Sequence, residues 1–265
     1  MSFISFTEFR SLFYAGMEAN GFSAYCTDAN ANAFYTLTEL LLETNAVMNL
    51  TAITEVREII VKHYADCMKL LAVLPEPDAS AKKPLRMADI GTGAGFPSLP
   101  IAILRPDLRI LAVDSTQKKL DYVERTAKAL GLSNLSVLCG RAEELGQNKL
   151  YRESFDIVTA RAVARMNVLS EWCLPLVSVG GIFAAMKGKN VREELSEAEH
   201  ALSVLGGECV SCIEEVLNPI PAEDGTASDG PAGEASSRGT ILVRKTGNTP
   251  ALYPRSNAQI QKKKL

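Results

Sequence analysis

"DIGTGAGFPSLP", Asp89 to Pro100, follows the short apolar run "LRMADI" and packs Gly91, Gly93 and Gly95 into five residues. Glycine reaches positive φ without a Cβ clash and lets a ligand come close to the backbone, so this loop reads as a cradle at the end of a buried strand. A dinucleotide fingerprint, GxGxxG, would need its third glycine at position 96, where a pyrophosphate meets a helix N-terminus. Position 96 is Phe. The spacing is GxGxG instead, behind an acid, Asp89.

Downstream, strand and helix patterns alternate. "LRILAVD", "LSVLCG", "FDIVTA" and "GGIFAAMKG" read as four further buried strands, separated by helical stretches such as "STQKKLDYVERTAKALGL" and "VREELSEAEHALSVLGG". Parallel strands need such crossovers, so the pattern predicts a parallel sheet wrapped by helices. "CVSCIEEVL" and "GTILVRK" add an antiparallel hairpin at one edge, for seven strands in all. In this α/β, Rossmann-like arrangement ligands sit at the carboxyl ends of the strands. Asp114 ends the second strand with Ser115 beside it, placed to accept both hydroxyls of a ribose, and "GRAEEL" brings Ala142 and Glu143 to an adenine edge. GxGxG behind Asp89, then Asp114, then Ala142 and Glu143 is the order suited to S-adenosylmethionine, which has no phosphate to cradle. The pattern therefore predicts a class I methyltransferase. A nucleotide-dependent oxidoreductase and a noncatalytic α/β domain are the alternatives.

Upstream, residues 1–75 read as a helical extension, residues 76–84 as a linker, and 85–265 as the methyltransferase domain. Thr7 and Thr54 are the expected helix caps. In "TEVREIIVKHYADCMKLLAVL", Val56, Ile59, Ile60, His63, Tyr64, Cys67, Leu70 and Leu71 recur at helical spacing. His63 on that face is expected to be a satisfied core residue.

The chain has 265 residues, 47% of them hydrophobic, and a net charge of −3, which argues against a nonspecific polyanion binder. The charge is uneven. The stretch 217–239, rich in Pro, Gly, Ala and Ser, holds four acids against Arg238 and reads as an acidic flexible insert. Basic clusters stand at Lys118–Lys119, Arg161–Arg165, Lys187–Lys189 and Lys262–Lys264. The six cysteines are scattered, as suits reduced thiols, and Cys209 and Cys212 are expected to point to opposite faces of a strand, so no metal site is expected. No apolar run approaches the roughly 18 to 20 residues of a membrane span, and Glu8 and Arg10 interrupt the start, so a cytoplasmic protein is expected.

The fourth strand ends "FDIVTARAVARMN". Methylation of exocyclic amines usually uses an Asp/Asn-Pro-Pro-aromatic motif here, and attack on pyrimidine C5 needs a cysteine; neither is present. Arg161 stays protonated and cannot be a base. No general base is expected, so an acceptor with a free lone pair fits, and guanine N7 is one. Arg161, Arg165, Lys187 and Lys189 leave strand ends on the cofactor rim and, with Lys118, are the candidate RNA contacts. Another RNA, a protein, a small molecule, or RNA binding without catalysis are the competing readings.

"NLTAIT", "HYADCMKLL", "DIGTGAGFPSLPIAI", "VDSTQKKLDYV", "GRAEEL", "FDIVTARAVA" and "MKGK" together resemble the successive blocks of the small-subunit ribosomal RNA methyltransferase G family, also called glucose-inhibited division protein B. The resemblance runs from about Asn49 to Lys189, with a weaker echo in "YPRSNAQIQKKKL". It implies S-adenosylmethionine-dependent methylation of guanine N7 in the 530-loop region of 16S ribosomal RNA. The partner is then 16S RNA or the small ribosomal subunit, with no membrane; a monomer is expected. The resemblance also implies that Gly91, Phe96, Ala142, Glu143 and Arg161 contact the cofactor, and it raises the prospect that His63 and Asp66 shape the site. Ser98 stands where Gly is usual, and Cys67 and Ala160 where Ser is usual; these small-for-small changes leave the activity expected.

Overall fold

Seven strands form one sheet in the computed structural model, which describes residues 4–77, 80, 83–221 and 235–265. They are β1 Arg86–Ile90, β2 Arg109–Asp114, β3 Leu135–Cys139, β4 Phe155–Arg161, β5 Val177–Lys187, β6 Gly207–Leu217 and β7 Ser236–Lys245. Their order is β3-β2-β1-β4-β5-β7-β6. β1 to β5 pair in parallel, and β7 runs antiparallel to both β5 and β6. The chain moves outward from β1 through β2 to β3 and then returns to β4 on the other side of β1. The reversal of strand order therefore falls between β1 and β4, where neighbouring loops part and leave a crevice.

The helices are α1 Phe6–Ala19, α2 Asp28–Met48, α3 Val56–Glu58, α4 Asp66–Met68, α5 Ser98–Leu104, α6 Gln117–Ala129, α7 Ala142–Gln147, α8 Met166–Cys173, α9 Val191–Val204 and α10 Asn257–Lys262. Strand alternation decides which core each side chain joins. Met87 of β1 and Ile157 of β4 face Ile101 and Ala102 of α5, whereas Ala88, Ile90, Val158 and Ala160 face Leu169 of α8 and Ala201 of α9. The N-terminal helices cover the α5 and α6 face: Phe9, Phe13, Phe34 and Tyr64 share one core with Phe96, Leu99 and Val123.

Several local expectations change. The cap of α1 is Ser5, whose hydroxyl accepts from Glu8 N, and not Thr7. α3 begins after Glu55 with no side-chain cap, so Thr54 plays no such part. Between α3 and α4 the chain widens into π-helical turns over Ile59–Ala65. That widening shifts the facing residues and buries an almost unbroken run, including Val61, Ala65 and Asp66, which a 3.6-residue period leaves outside.

The stretch 217–239 is not one loop. Leu217 ends β6 and Ser236–Gly239 begin β7, Ile220 is buried, and Asn218 and Asn20 exchange hydrogen bonds at 2.9 and 3.0 Å. Residues 222–234 of the proposed insert lie outside the described residues, as do 78, 79, 81 and 82 of the proposed linker. Cys209 and Cys212 also differ from expectation. A bulge between Cys209 and Ser211 makes Cys209 pair with Val243 and Cys212 with Ile241, so both thiols lie on one face, against the α8 and α9 core. Among the described residues no helix is long and apolar enough to cross a membrane.

Candidate active site

The loop after β1 is tied to β2. Gly91 N and Thr92 N both donate to Val113 O at 2.9 Å, and Gly93 N donates to Asp114 Oδ2 at 3.0 Å. Asp114 Oδ1 accepts from Thr116 N at 2.9 Å, so this one carboxylate braces the loops after both strands. Each of its oxygens keeps a further lone pair, which leaves capacity for hydroxyl donors. Gly91 has φ +74°, and a Cβ there would meet Val163 Cγ2 at 2.8 Å; the glycine keeps the crevice open.

A cavity of about 350 Å³ occupies the carboxyl ends of β1 to β4. Of the candidate cofactor residues, Gly91, Gly93, Asp114, Ser115, Ala142, Glu143 and Arg161 line it. Asp89, Gly95 and Phe96 do not. Asp89 shares the face of Met87, points beneath α5, and is fully buried. Its Oδ2 accepts from Ser98 Oγ at 2.6 Å and from Ser98 N at 3.3 Å, while Ser98 Oγ also lies 3.0 Å from Thr92 Oγ1. Burial pushes the Asp89 carboxyl upward and these hydroxyl donors oppose that shift. Asp89 therefore secures the glycine loop from behind, and the Ser98 hydroxyl is its partner. Gly95, at φ +83°, closes on Leu99 and Val123.

Two wall residues carry no obvious signal in the sequence. Trp172 of α8 and Asn257 of α10 line the cavity, and the Trp172 indole N–H is buried with no partner among the described residues. A buried Glu171 holds this tail in place by accepting from Arg255 Nε at 2.8 Å and Nη2 at 2.6 Å. An open glycine cradle, a strand-end carboxylate with spare lone pairs and an unpaired indole donor fit an adenosine-containing cofactor.

Arg161 ends β4 on the same face as Asp89, pointing toward the N-terminal helices. It donates to Asp66 Oδ2 at 2.7 Å and Lys62 O at 3.2 Å through Nη1, and its Nη2 lies 2.9 Å from His63 Nδ1. Arg238 Nε donates to the other oxygen of Asp66 at 3.1 Å. Phe96 stacks on His63 with ring centroids 4.5 Å apart and 11° between planes, and the Arg161 guanidinium lies 5.7 Å from the Phe96 centroid. Phe96 thus supports the cluster from behind the loop. Burial, and then the positive charge of Arg161, lower the His63 pKa to about 3, and burial raises the Cys67 thiol to about 12. Beyond Arg161 and Ala162 lies a second cavity of about 200 Å³, reaching Lys69, Arg238 and Glu215.

The candidate RNA contacts separate into two groups. Lys118 and Lys189 are exposed. Arg165 is exposed but paired, at 2.6 Å to Glu197 and 3.6 Å to Glu193. Lys187 is 7% exposed, its Nζ bonds Ala164 O and lies 2.7 Å from Glu194, so it braces the turn after β4 while also lining the second cavity.

The sequence model of the rRNA small subunit methyltransferase G family matches residues 30–218. A ribosomal RNA small subunit methyltransferase G from Lactobacillus acidophilus is 42% identical over 239 residues, covering 90% of this chain and 92% of its own length. One from Geobacillus is 46% identical over 217 residues, covering 82% and 83%. Among solved structures, an S-adenosylmethionine-dependent O-methyltransferase from Thermotoga maritima superposes with a TM-score of 0.53 at 16% identity, over 78% of this chain and 72% of that one. That likeness shows the fold alone.

Proposed function

Because this chain belongs to the rRNA small subunit methyltransferase G family, we propose that it methylates guanine N7 in the 530-loop region of 16S ribosomal RNA. It is an S-adenosylmethionine-dependent methyltransferase acting on small-subunit ribosomal RNA. Gly91, Gly93, Asp114, Ser115, Ala142, Glu143, Trp172, Asn257 and Arg161 would hold the cofactor, since they line the larger cavity. When bound, S-adenosylmethionine supplies a methyl group on a sulfonium: the N–C bond forms as the C–S bond breaks, its electron pair stays on sulfur, and no proton moves.

The observation that carries the choice of N7 is that, among the described residues, the titratable groups in direct contact with Arg161 are all engaged and none is free to take a proton. His63 Nδ1 faces a guanidinium and its low pKa makes it a poor base, Asp66 is held by two guanidinium groups, and the Cys67 thiol is inert. An exocyclic amine would need such an acceptor, whereas N7 attacks with a lone pair it already has. What this chain supplies is alignment and exclusion of water. Lys118, Lys189 and Arg165 stand on the outer rim for the RNA backbone.

Nucleoside analysis of undermethylated small-subunit RNA, before and after treatment with the enzyme and cofactor, tests this reading. The expected product is 7-methylguanosine. Label on an exocyclic amine, on pyrimidine carbon, or in protein or a free metabolite in place of RNA would overturn it.

A further inference from the structure

The second cavity adjoins the cofactor cavity at Arg161 and Ala162, on the side away from Asp114. At about 200 Å³ it is smaller than the roughly 300–1,000 Å³ of sites for drug-sized ligands, so it suits one planar ring system and not a run of nucleotides. Enzymes that act on a base commonly take it out of its stack into such a pocket and read its Watson–Crick edge. Ile53 and Met186 offer apolar wall, and Glu215, Arg238 and Lys69 offer polar wall.

The two carboxylates near this cavity differ in what they have left to bond. Asp66 accepts from Arg161 on one oxygen and from Arg238 on the other, so two guanidinium groups already neutralise it and hold it in place. Glu215 faces Arg238 across the β6–β7 ladder, yet the Nε of Arg238 is committed to Asp66. The Glu215 carboxylate has an ion-pair contact with Lys69 at 3.8 Å, beyond hydrogen-bond reach, and its side chain is 23% exposed. It is a half-buried double acceptor with no hydrogen-bond donor among the described residues, so its lone pairs are open to a ligand in the cavity.

We propose that the second cavity receives the acceptor guanine, everted from the RNA, and that Glu215 accepts its N1–H and N2–H donors and so selects guanine. The proposal rests on the guanine-N7 reading above. Guanine has two adjacent donors on its Watson–Crick edge, matching two carboxylate oxygens; adenine, cytosine and uracil each lack that pair. N1 and N2 lie on the edge opposite N7, so a base held by Glu215 keeps N7 directed out of the pocket, toward the cofactor cavity. Methylation at N7 leaves a unit positive charge on the purine. Attraction to the Glu215 carboxylate grows as that charge develops, so the same contact that selects guanine also favours the transition state over the ground state.

The test uses the full chain and two small-subunit RNAs, with guanosine or inosine at the target position; inosine keeps N7, O6 and N1–H but lacks the N2 amine. Glu215→Ala is expected to lower kcat/KM on the guanosine RNA about 10- to 100-fold, with cofactor affinity by calorimetry unchanged. Inosine should slow the wild-type enzyme but add little to the loss in Glu215→Ala, because both changes remove the same contact. Glu215→Gln, which keeps the shape but replaces one acceptor by a donor, serves if the alanine variant does not fold, and should also lose activity. A Glu215 variant that works at the wild-type rate, or losses that simply multiply, would overturn the role of Glu215 while leaving the N7 reading intact. A wild-type enzyme that forms no 7-methylguanosine overturns both.

Discussion

Nη2 of Arg161 lies 2.9 Å from Nδ1 of His63. A guanidinium can only donate, so Nδ1 is the acceptor and the ring proton sits on Nε2, 2.9 Å from Thr51 Oγ1. The imidazole is held neutral in the folded protein, with its pKa lowered to about 3 from an ordinary value near 6.5. As pH falls below about 6.5 the unfolded chain takes up this proton first, so stability present above that pH is lost progressively toward pH 3, at no more than about 1.4 kcal/mol per pH unit. Asp66, raised by burial, contributes in the opposite sense and is common to wild type and variant. Urea unfolding at pH 7 and pH 5 should show a shallower loss for His63→Asn than for wild type; parallel pH profiles would contradict this assignment.

Asp66 neutralises two guanidinium groups from distant strands. Removing one partner of a buried ion pair leaves charge without compensation, which typically costs about 3–5 kcal/mol. Asp66→Ala should therefore lower the melting temperature markedly and reduce turnover, because Arg161 and Arg238 lose their common anchor. An unchanged melt would mean that solvent takes over both pairings.

Asp114 has two tasks, bracing Gly93 and Thr116 and facing the larger cavity. Asp114→Ala should weaken cofactor binding by about 1–3 kcal/mol, measured by calorimetry. Asp114→Asn keeps one acceptor and should lose less. Equal affinity in a folded alanine variant would remove Asp114 from the cofactor site.

Lys187 and Lys189 are two residues apart and should behave differently. Lys189→Ala is expected to leave the melt unchanged and to reduce the salt dependence of RNA binding by about one unit of slope. Lys187→Ala should destabilise the protein by about 1–3 kcal/mol, since Glu194 loses a buried partner. A lowered salt slope for Lys187→Ala, with an unchanged melt, would restore it to the RNA surface.

The sequence by itself determined the sheet, the position of the glycine loop and the strand-end acid Asp114. Those features are local: short buried strands, crossover helices and glycine spacing are written within a few residues of each other. The missing glycine at position 96 also separated this loop from a dinucleotide cradle. What only the tertiary structure decided is where individual side chains point and what they meet. Strand alternation turned Asp89 under α5, a single bulge brought Cys209 and Cys212 to one face, and the π-helical widening set His63 and Asp66 against Arg161. Trp172 and Asn257 reach the larger cavity, and Glu215 and Arg238 the second one, only because α8, the tail and the antiparallel edge fold back over the strand ends. A shift of one residue reverses a strand side chain's face, and contacts between distant segments depend on sheet order, so neither is encoded in local spacing.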